Sequence, residues 1–388
     1  MWFIPITSGN PYRLGRTLGE LKTELQRRAG LNLMPVAGVP EADVAAVIAS
    51  VDTLERDAWA QAWSGRGDLH LQRADALADS DSIAARDAYR LAWRLFHFAR
   101  WPVENTPFKR YVYPRALAAF RNHGRLLDPP LEMIRIPYDN QVITAYLRVP
   151  AGTSAAPLVI GISGLDSRKE DVMALADAYL ARGIALLAVD MPGTGEAPAV
   201  LAPGAERMFS AILDWIAGRG DLDADRVVVQ GRSWSGYWAA LLAIIERRRL
   251  RGAVMHGGPI HHYFQPQWLA PSLDSREYLY DYLPATAALF GVETLEALLQ
   301  QAPTFSLQAL GHLEQPSAPL LLVNGARDTQ IPVADVELLA QRYPGSAVWI
   351  NPEGGHMGRS AAWSGKRIFA EVIAPWLAQR LDLSPDAG

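Results

Sequence analysis

The 388-residue sequence contains no cysteine. Disulfide staples, thiolate metal sites and a cysteine nucleophile are therefore excluded. Charge of one sign is also lacking: 37 basic residues against 41 acidic ones leave a formal net charge of −4. That balance gives no electrostatic footprint for a nucleic-acid binder, which needs a basic face. Nowhere is there a run of ~18–20 continuous apolar residues, so no membrane span is expected. The opening MWFIPITSGNPYRLGR has no basic residues before its apolar start and breaks at Pro5, unlike a signal peptide. A soluble, cytoplasmic protein is expected. With 49% apolar and 20% charged residues the chain has the composition of a folded globular protein.

The chain changes character near residue 130. Within 41–125, EADVAAVIASVDTLERDAWAQAW and DSIAARDAYRLAWRLFHFARWPV place apolar residues at helical spacing. Trp93, Phe96, Phe98 and Trp101 crowd one short stretch. Such a stripe reads first as a packing face. A second reading is a helical cap whose aromatics, Trp93 among them, also line a substrate pocket. After Pro129-Pro130, LEMIRIP and QVITAYLRV form a strand pair around the turn YDN. Short apolar runs then recur at 157–162, 185–189, 226–230, 252–256, 318–324 and 346–350. Continuous apolar runs mark strands covered on both faces, and helical segments separate most of them. The reading is an α/β fold: about eight mostly parallel strands with helices on both faces. A helical N-terminal cap region covers 1–130 and a catalytic domain covers 131–388. Segment 261–316 is too long for a plain crossover and is expected to form a lid-like insertion.

The most informative stretch is VVVQGRSWSGYWAALLA, 227–243. A buried strand runs into Gly231-Arg232-Ser233-Trp234-Ser235-Gly236 and a helix follows at once. This is the context of a nucleophile elbow, whose sharp turn demands small residues two positions either side of the nucleophile. Ser233 meets that demand with Gly231 and Ser235; Ser235 fails it, because Tyr237 is too bulky. A serine hydroxyl needs a base, and the base an orienting carboxylate, in the chain order Ser, acid, His. Asp328 in NGARDTQIP follows one late strand, and His356 in the glycine-rich NPEGGHMG follows the last. Asp190, in AVDMPGTGEAP, precedes the serine and so competes poorly for the acid role. The oxyanion donors are expected to be the amides of Trp234 and of Leu165 or Asp166 in GISGLDSRKED.

Among the other histidines, His70, His97, His123 and His312 are expected to be structural. His261 and His262 follow the sixth strand, near the carboxyl ends where ligands bind in open α/β sheets. With Arg232, Tyr237 and Trp93 they are candidate substrate contacts. His256 could join them in a metal site, but neither an HExxH pattern nor a carboxylate cluster completes one. No Walker or dinucleotide motif is present, so neither a metal nor a cofactor is expected.

The elbow, the GLDSRKE loop, DMPGTGE, NGARDTQIP and GGHMG together resemble the α/β-hydrolases. The resemblance is closer to a subgroup with a long helical N-terminal region, and covers roughly 85–388. That subgroup includes 2,6-dihydroxypseudooxynicotine hydrolase, fungal polyketide-shortening hydrolases and the fermentation–respiration switch protein. It implies a Ser–Asp–His hydrolase, a homodimer, acting on a small aromatic or polyketide-like molecule by cleaving a C–C bond next to a ketone. An esterase, thioesterase or acyl-transfer activity on the same residues is the alternative. The subgroup elbow usually reads G-R-S-x-G-G, and here Ser235 replaces the first glycine of the pair. Some members also use a carboxylate soon after the sixth strand, where this chain reads PIHHYF.

Overall fold

The computed structural model describes residues 15–383; the apolar opening segment lies mostly outside that range. The described chain divides into two compact units. One runs to Leu131 and includes Tyr278–Ala288; the other comprises Glu132–Glu277 and Leu289 onward.

The first unit is helical: α1 (Leu18–Gly30), α2 (Glu41–Ser50), α3 (Arg56–Leu77), α4 (Ser82–Arg100) and α5 (Pro107–Arg125). The periodic stretch 41–63 is two helices rather than one. Val51–Glu55 interrupts it, and the Glu55 carboxylate then caps the amides of Asp57 and Ala58 at the start of α3. The aromatic stripe forms this unit's core. Trp63 meets Phe98 edge-on at 4.6 Å, and Trp93 meets Phe120 at 4.7 Å. Part of the segment expected as a lid, 278–288, groups with this unit. Arg56 forms a two-pronged ion pair with Asp281 at 2.8 and 2.9 Å, and Trp101 stacks on Tyr278.

The second unit is built on eight strands: β1 (Glu132–Tyr138), β2 (Gln141–Arg148), β3 (Ala156–Ile162), β4 (Ala185–Val189), β5 (Leu222–Arg232), β6 (Gly252–His256), β7 (Leu320–Gly325) and β8 (Ala347–Asn351). Their order in the sheet is β1-β2-β4-β3-β5-β6-β7-β8. β2 is antiparallel to both β1 and β4, and every other pairing is parallel. The continuous apolar runs behave as expected: β3, β4, β6 and β7 are buried along their whole length. β8, at the edge, is only partly covered.

The crossovers are α6 (Lys169–Met173), α7 (Ala176–Leu180), α8 (Arg207–Ala217) and α9 (Gly236–Ile245). Further along come α10 (Pro266–Ser272), α11 (Tyr282–Phe290), most of which groups with the helical unit, α12 (Leu295–Gln301), α13 (Val333–Arg342), α14 (Gly365–Ile368) and α15 (Ala374–Arg380). The stretch 169–183 is two short helices, because the chain tightens into a three-residue turn from Val172 to Leu175. Between α14 and α15 a π turn spans Phe369–Ile373, just ahead of Pro375, which has no amide proton to continue the helical ladder. No helix among the described residues is long and apolar enough to cross a membrane.

Candidate active site

β5 ends at Arg232, and the next residue, Ser233, has φ = +56°. A side-chain-bearing residue in the left-handed region is strained, and the turn that imposes it presents the hydroxyl beyond the carboxyl end of this interior strand. Gly231 makes the turn possible: a Cβ there would lie 2.1 Å from the Ser235 carbonyl oxygen. Ser235 itself is buried. Its hydroxyl accepts the Arg232 amide proton at 2.8 Å and lies 2.9 Å from the carbonyl oxygens of Ile162 and Arg232, either of which can take its one proton. The serine that stands where the subgroup usually has glycine thus ties the end of β5 to the end of β3. Its hydroxyl is fully engaged, leaving Ser233 as the available one.

His356 sits in the loop after β8. Its Nε2 is 2.7 Å from Ser233 Oγ, and its Nδ1 is 2.8 Å from Asp328 Oδ2. Asp328, just past β7, accepts the amide protons of Gln330 and Ile331 on its other oxygen, at 2.8 and 3.0 Å. With Oδ1 occupied, Oδ2 is directed at the imidazole. Nδ1 then carries the proton, and the Nε2 lone pair faces the serine. The residues are 95 and 28 positions apart in sequence, yet they form one hydrogen-bonded line with the His and Asp side chains almost wholly buried. Asp190, by contrast, receives the backbone amide and the ammonium of Lys169 at 2.7 and 3.0 Å. Although burial opposes ionisation, Lys169 and Arg168 hold its carboxyl below the usual range. Asp190 thereby fixes the loop after β3. Glu353 is exposed and paired with Arg327.

That β3 loop abuts the elbow: a Cβ on Gly164 would come within 3.3 Å of the Ser233 Cβ. Among the described residues no acceptor engages the amides of Leu165 and Trp234. Both amides lie in the segments that flank Ser233. Asp166, the alternative donor, is half-buried in the same loop.

The candidate substrate contacts fall in several places. Trp93 is 1% exposed in the core of the helical unit, packed against Phe120 and His97. Tyr237 is packed behind the elbow against Trp234, Trp238 and Phe264, and burial pushes its phenol pKa up. Arg232 is half-buried, and its charge is felt by Arg359, whose own pKa is lowered by burial first and by Arg232 second. His261 bonds Ser306 through Nδ1 at 2.7 Å, whereas His262 is exposed. His256 donates from Nε2 to the Met357 carbonyl at 2.9 Å, and burial drives its pKa down to about 3. His70 pairs with Asp43 and His123 with the Arg86 carbonyl, both inside the helical unit.

The model of the FrsA-like esterase family matches residues 46–349. The chain belongs to the FrsA-like esterase family. Among its relatives, esterase FrsA of Vibrio cholerae is 26% identical over 336 residues, covering 84% of this chain and 74% of the relative. The 2,6-dihydropseudooxynicotine hydrolase of Paenarthrobacter nicotinovorans is 26% identical over 232 residues, covering 59% and 60%. The crystal structure of 2,6-dihydroxy-pseudo-oxynicotine hydrolase aligns with a TM-score of 0.75 at 22% identity, over 89% of this chain and 94% of that one. AbyA5 aligns with a TM-score of 0.71 at 22% identity, over 95% and 96%. The fold is that of the α/β-hydrolases, and this FrsA-like protein is a hydrolase.

Several site residues escaped the reading of the sequence. Asn324 Oδ1 accepts the Met357 amide proton at 3.0 Å, and Asn351 Nδ2 donates to the Gly358 carbonyl at 2.8 Å. With His256 they hold the loop that carries His356. Asp335, wholly buried on α13, accepts the amide protons of Ile260, His261, His262 and Tyr263 at 2.7–3.2 Å and so fixes the backbone beneath the two histidines. The available signal was an acidic residue on the apolar face of a helical first turn, which reads equally well as a complement to the helix dipole.

Proposed function

We propose that this protein is a serine hydrolase in which Ser233 is the nucleophile, His356 the general base and Asp328 the orienting carboxylate. Its substrate is a small β-dicarbonyl or acyl-aromatic molecule cleaved at the C–C bond next to a ketone. The observation that carries the mechanism is the continuous line Ser233–His356–Asp328, at 2.7 and 2.8 Å. The substrate class rests on the resemblance to the subgroup.

His356 Nε2 takes the Ser233 proton as Oγ adds to the ketone carbonyl. The negative oxygen of the tetrahedral intermediate lies against the amides of Leu165 and Trp234. Collapse of the intermediate expels the neighbouring carbon as an enolate, which takes the proton from the His356 imidazolium. Water, activated by the same imidazole, then releases the acyl group as a carboxylic acid. The sum is substrate plus one water giving one acid and one ketone or arene. In an alternative order, His356 activates water for direct attack on the ketone.

A second reading, favoured by the family's description as esterases, is ester or thioester hydrolysis by the same residues. Only the leaving group differs, an alkoxide or thiolate in place of an enolate. A paired assay separates the two. Wild type and Ser233→Ala are given a p-nitrophenyl short-chain ester and an aryl 1,3-diketone, with products followed by mass. Ser233-dependent diketone cleavage with weak ester turnover supports C–C hydrolysis. Fast ester turnover with an untouched diketone supports the esterase.

A further inference from the structure

We propose that Glu277 is a positioning residue for this reaction, a carboxylate clamp that sets the acid and base loops relative to each other. The inference rests on the serine-hydrolase reading above. Glu277 lies far in sequence from both loops and belongs to neither. Its Oε1 accepts the backbone amide proton of His356 at 2.8 Å. Its Oε2 accepts the amide proton of Thr329, the residue after Asp328, at 2.9 Å and the Thr329 hydroxyl proton at 2.7 Å. One side chain thus joins the residue that carries the base to the neighbour of the acid. The ring closes through Ser275, whose hydroxyl is 2.6 Å from Thr329 Oγ1 and accepts the Glu277 amide proton at 3.3 Å.

The His loop is shaped around this carboxylate. Gly355 precedes His356, and a Cβ there would lie 2.2 Å from Glu277 Oε1. Behind the site the two loops already meet through backbone bonds, from Ala326 to the Asn351 carbonyl at 2.9 Å and from Arg327 to the Gly354 carbonyl at 2.8 Å. Those bonds bring the loops together but leave the His356 amide untied, and Glu277 supplies that tie. Its bonds to the two loops go to backbone amides and a hydroxyl, not to the imidazole, so the role is geometric rather than one of proton transfer. Small errors in the placement of a reacting group carry large rate costs.

The test measures kcat and KM on a p-nitrophenyl ester for wild type, Glu277→Gln, Glu277→Ala, Gly355→Ala and the Glu277→Ala/Gly355→Ala double variant, with folding checked by circular dichroism. Glu277→Ala is expected to lower kcat about ten- to hundredfold with KM little changed. Gln keeps one acceptor for the His356 amide but turns an NH2 donor toward the Thr329 amide, so it too should lose kcat. Gly355→Ala displaces the carboxylate and should lower kcat in the same way, and the double variant should be no worse than the poorer single one. A folded Glu277→Ala with wild-type kcat overturns the proposal. So do losses that simply multiply in the double variant. Should Glu277→Ala not fold, Glu277→Gln and Thr329→Val make the same test: both must lose kcat at constant KM, and wild-type kcat in both overturns the proposal. Ser233→Ala is run alongside. Ester hydrolysis that survives in it sinks the serine-hydrolase reading itself, whereas a dead Ser233→Ala beside an unaffected Glu277→Ala sinks only the clamp.

Discussion

Replacing Asp328 by Asn is the sharpest perturbation of the proposed relay, because it changes a proton count and almost no shape. The buried carboxylate makes three bonds: two accepted from the Gln330 and Ile331 amides through Oδ1, and one from His356 Nδ1 through Oδ2. The amide oxygen of Asn takes over the first two. Its NH2 then occupies the Oδ2 position and faces Nδ1, where two donors cannot meet. The imidazole must move its proton to Nε2, which can no longer accept one from Ser233. Loss of the correct tautomer in a serine triad is worth on the order of 10⁴ in kcat, about 5 kcal/mol at 1.36 kcal/mol per tenfold. Two of three bonds survive and volume is conserved, so folding stability should change by only about 1 kcal/mol. Ester-hydrolysis kinetics and a urea melt on the same preparation read both quantities. A folded Asp328→Asn enzyme within about tenfold of wild-type kcat would refute the assignment of Asp328.

Three further outcomes follow from the same structure. Ser233→Ala and His356→Ala should each abolish most of kcat, and the double variant should be no slower than the worse single one, because the residues act as a unit; steady-state kinetics of all three variants decide this. His256 is buried neutral, with its pKa lowered to about 3 from 6.5 by burial. Between those pH values the unfolded chain binds a proton that the folded one refuses, so stability should fall as pH drops from 6.5 toward 3, by roughly 5 kcal/mol in the limit. Urea melts across that range should show the slope flatten in His256→Asn. Trp93→Ala should cost about 3–5 kcal/mol in a urea melt through the cavity it leaves, with KM for the ester unchanged; a changed KM at unaltered stability would return Trp93 to the substrate pocket.

Much of this site is legible in the sequence because its chemistry is attached to strand ends. A run such as VVVQ flowing into small residues, or APLLLVN into an acid, marks a position in the fold as well as a residue type. The sequence alone therefore puts Ser233, Asp328 and His356 each just past a strand end. What holds them there is less legible. Glu277 and Asp335 act on backbone amides 52 to 79 residues away, and such bonds leave no periodicity or motif. Asn324 and Asn351 are the polar residues within otherwise apolar strands β7 and β8, which was a signal that each has a local partner. Within the helical unit, 278–288 is joined to the N-terminal helices by pairs such as Arg56 and Asp281, 225 residues apart. The aromatic stripe was read correctly as a packing face, while the same pattern gave no means of deciding which of its members could also meet a ligand.

The central claim is that Ser233 is a nucleophile activated by His356. An organophosphonate ester probe tests it directly, read by intact mass and by mapping of the modified peptide. One adduct per chain on the Ser233 peptide, absent in Ser233→Ala and strongly slowed in His356→Ala, is the predicted result. An unlabelled wild-type protein, or an adduct on another residue that persists in Ser233→Ala, would contradict it.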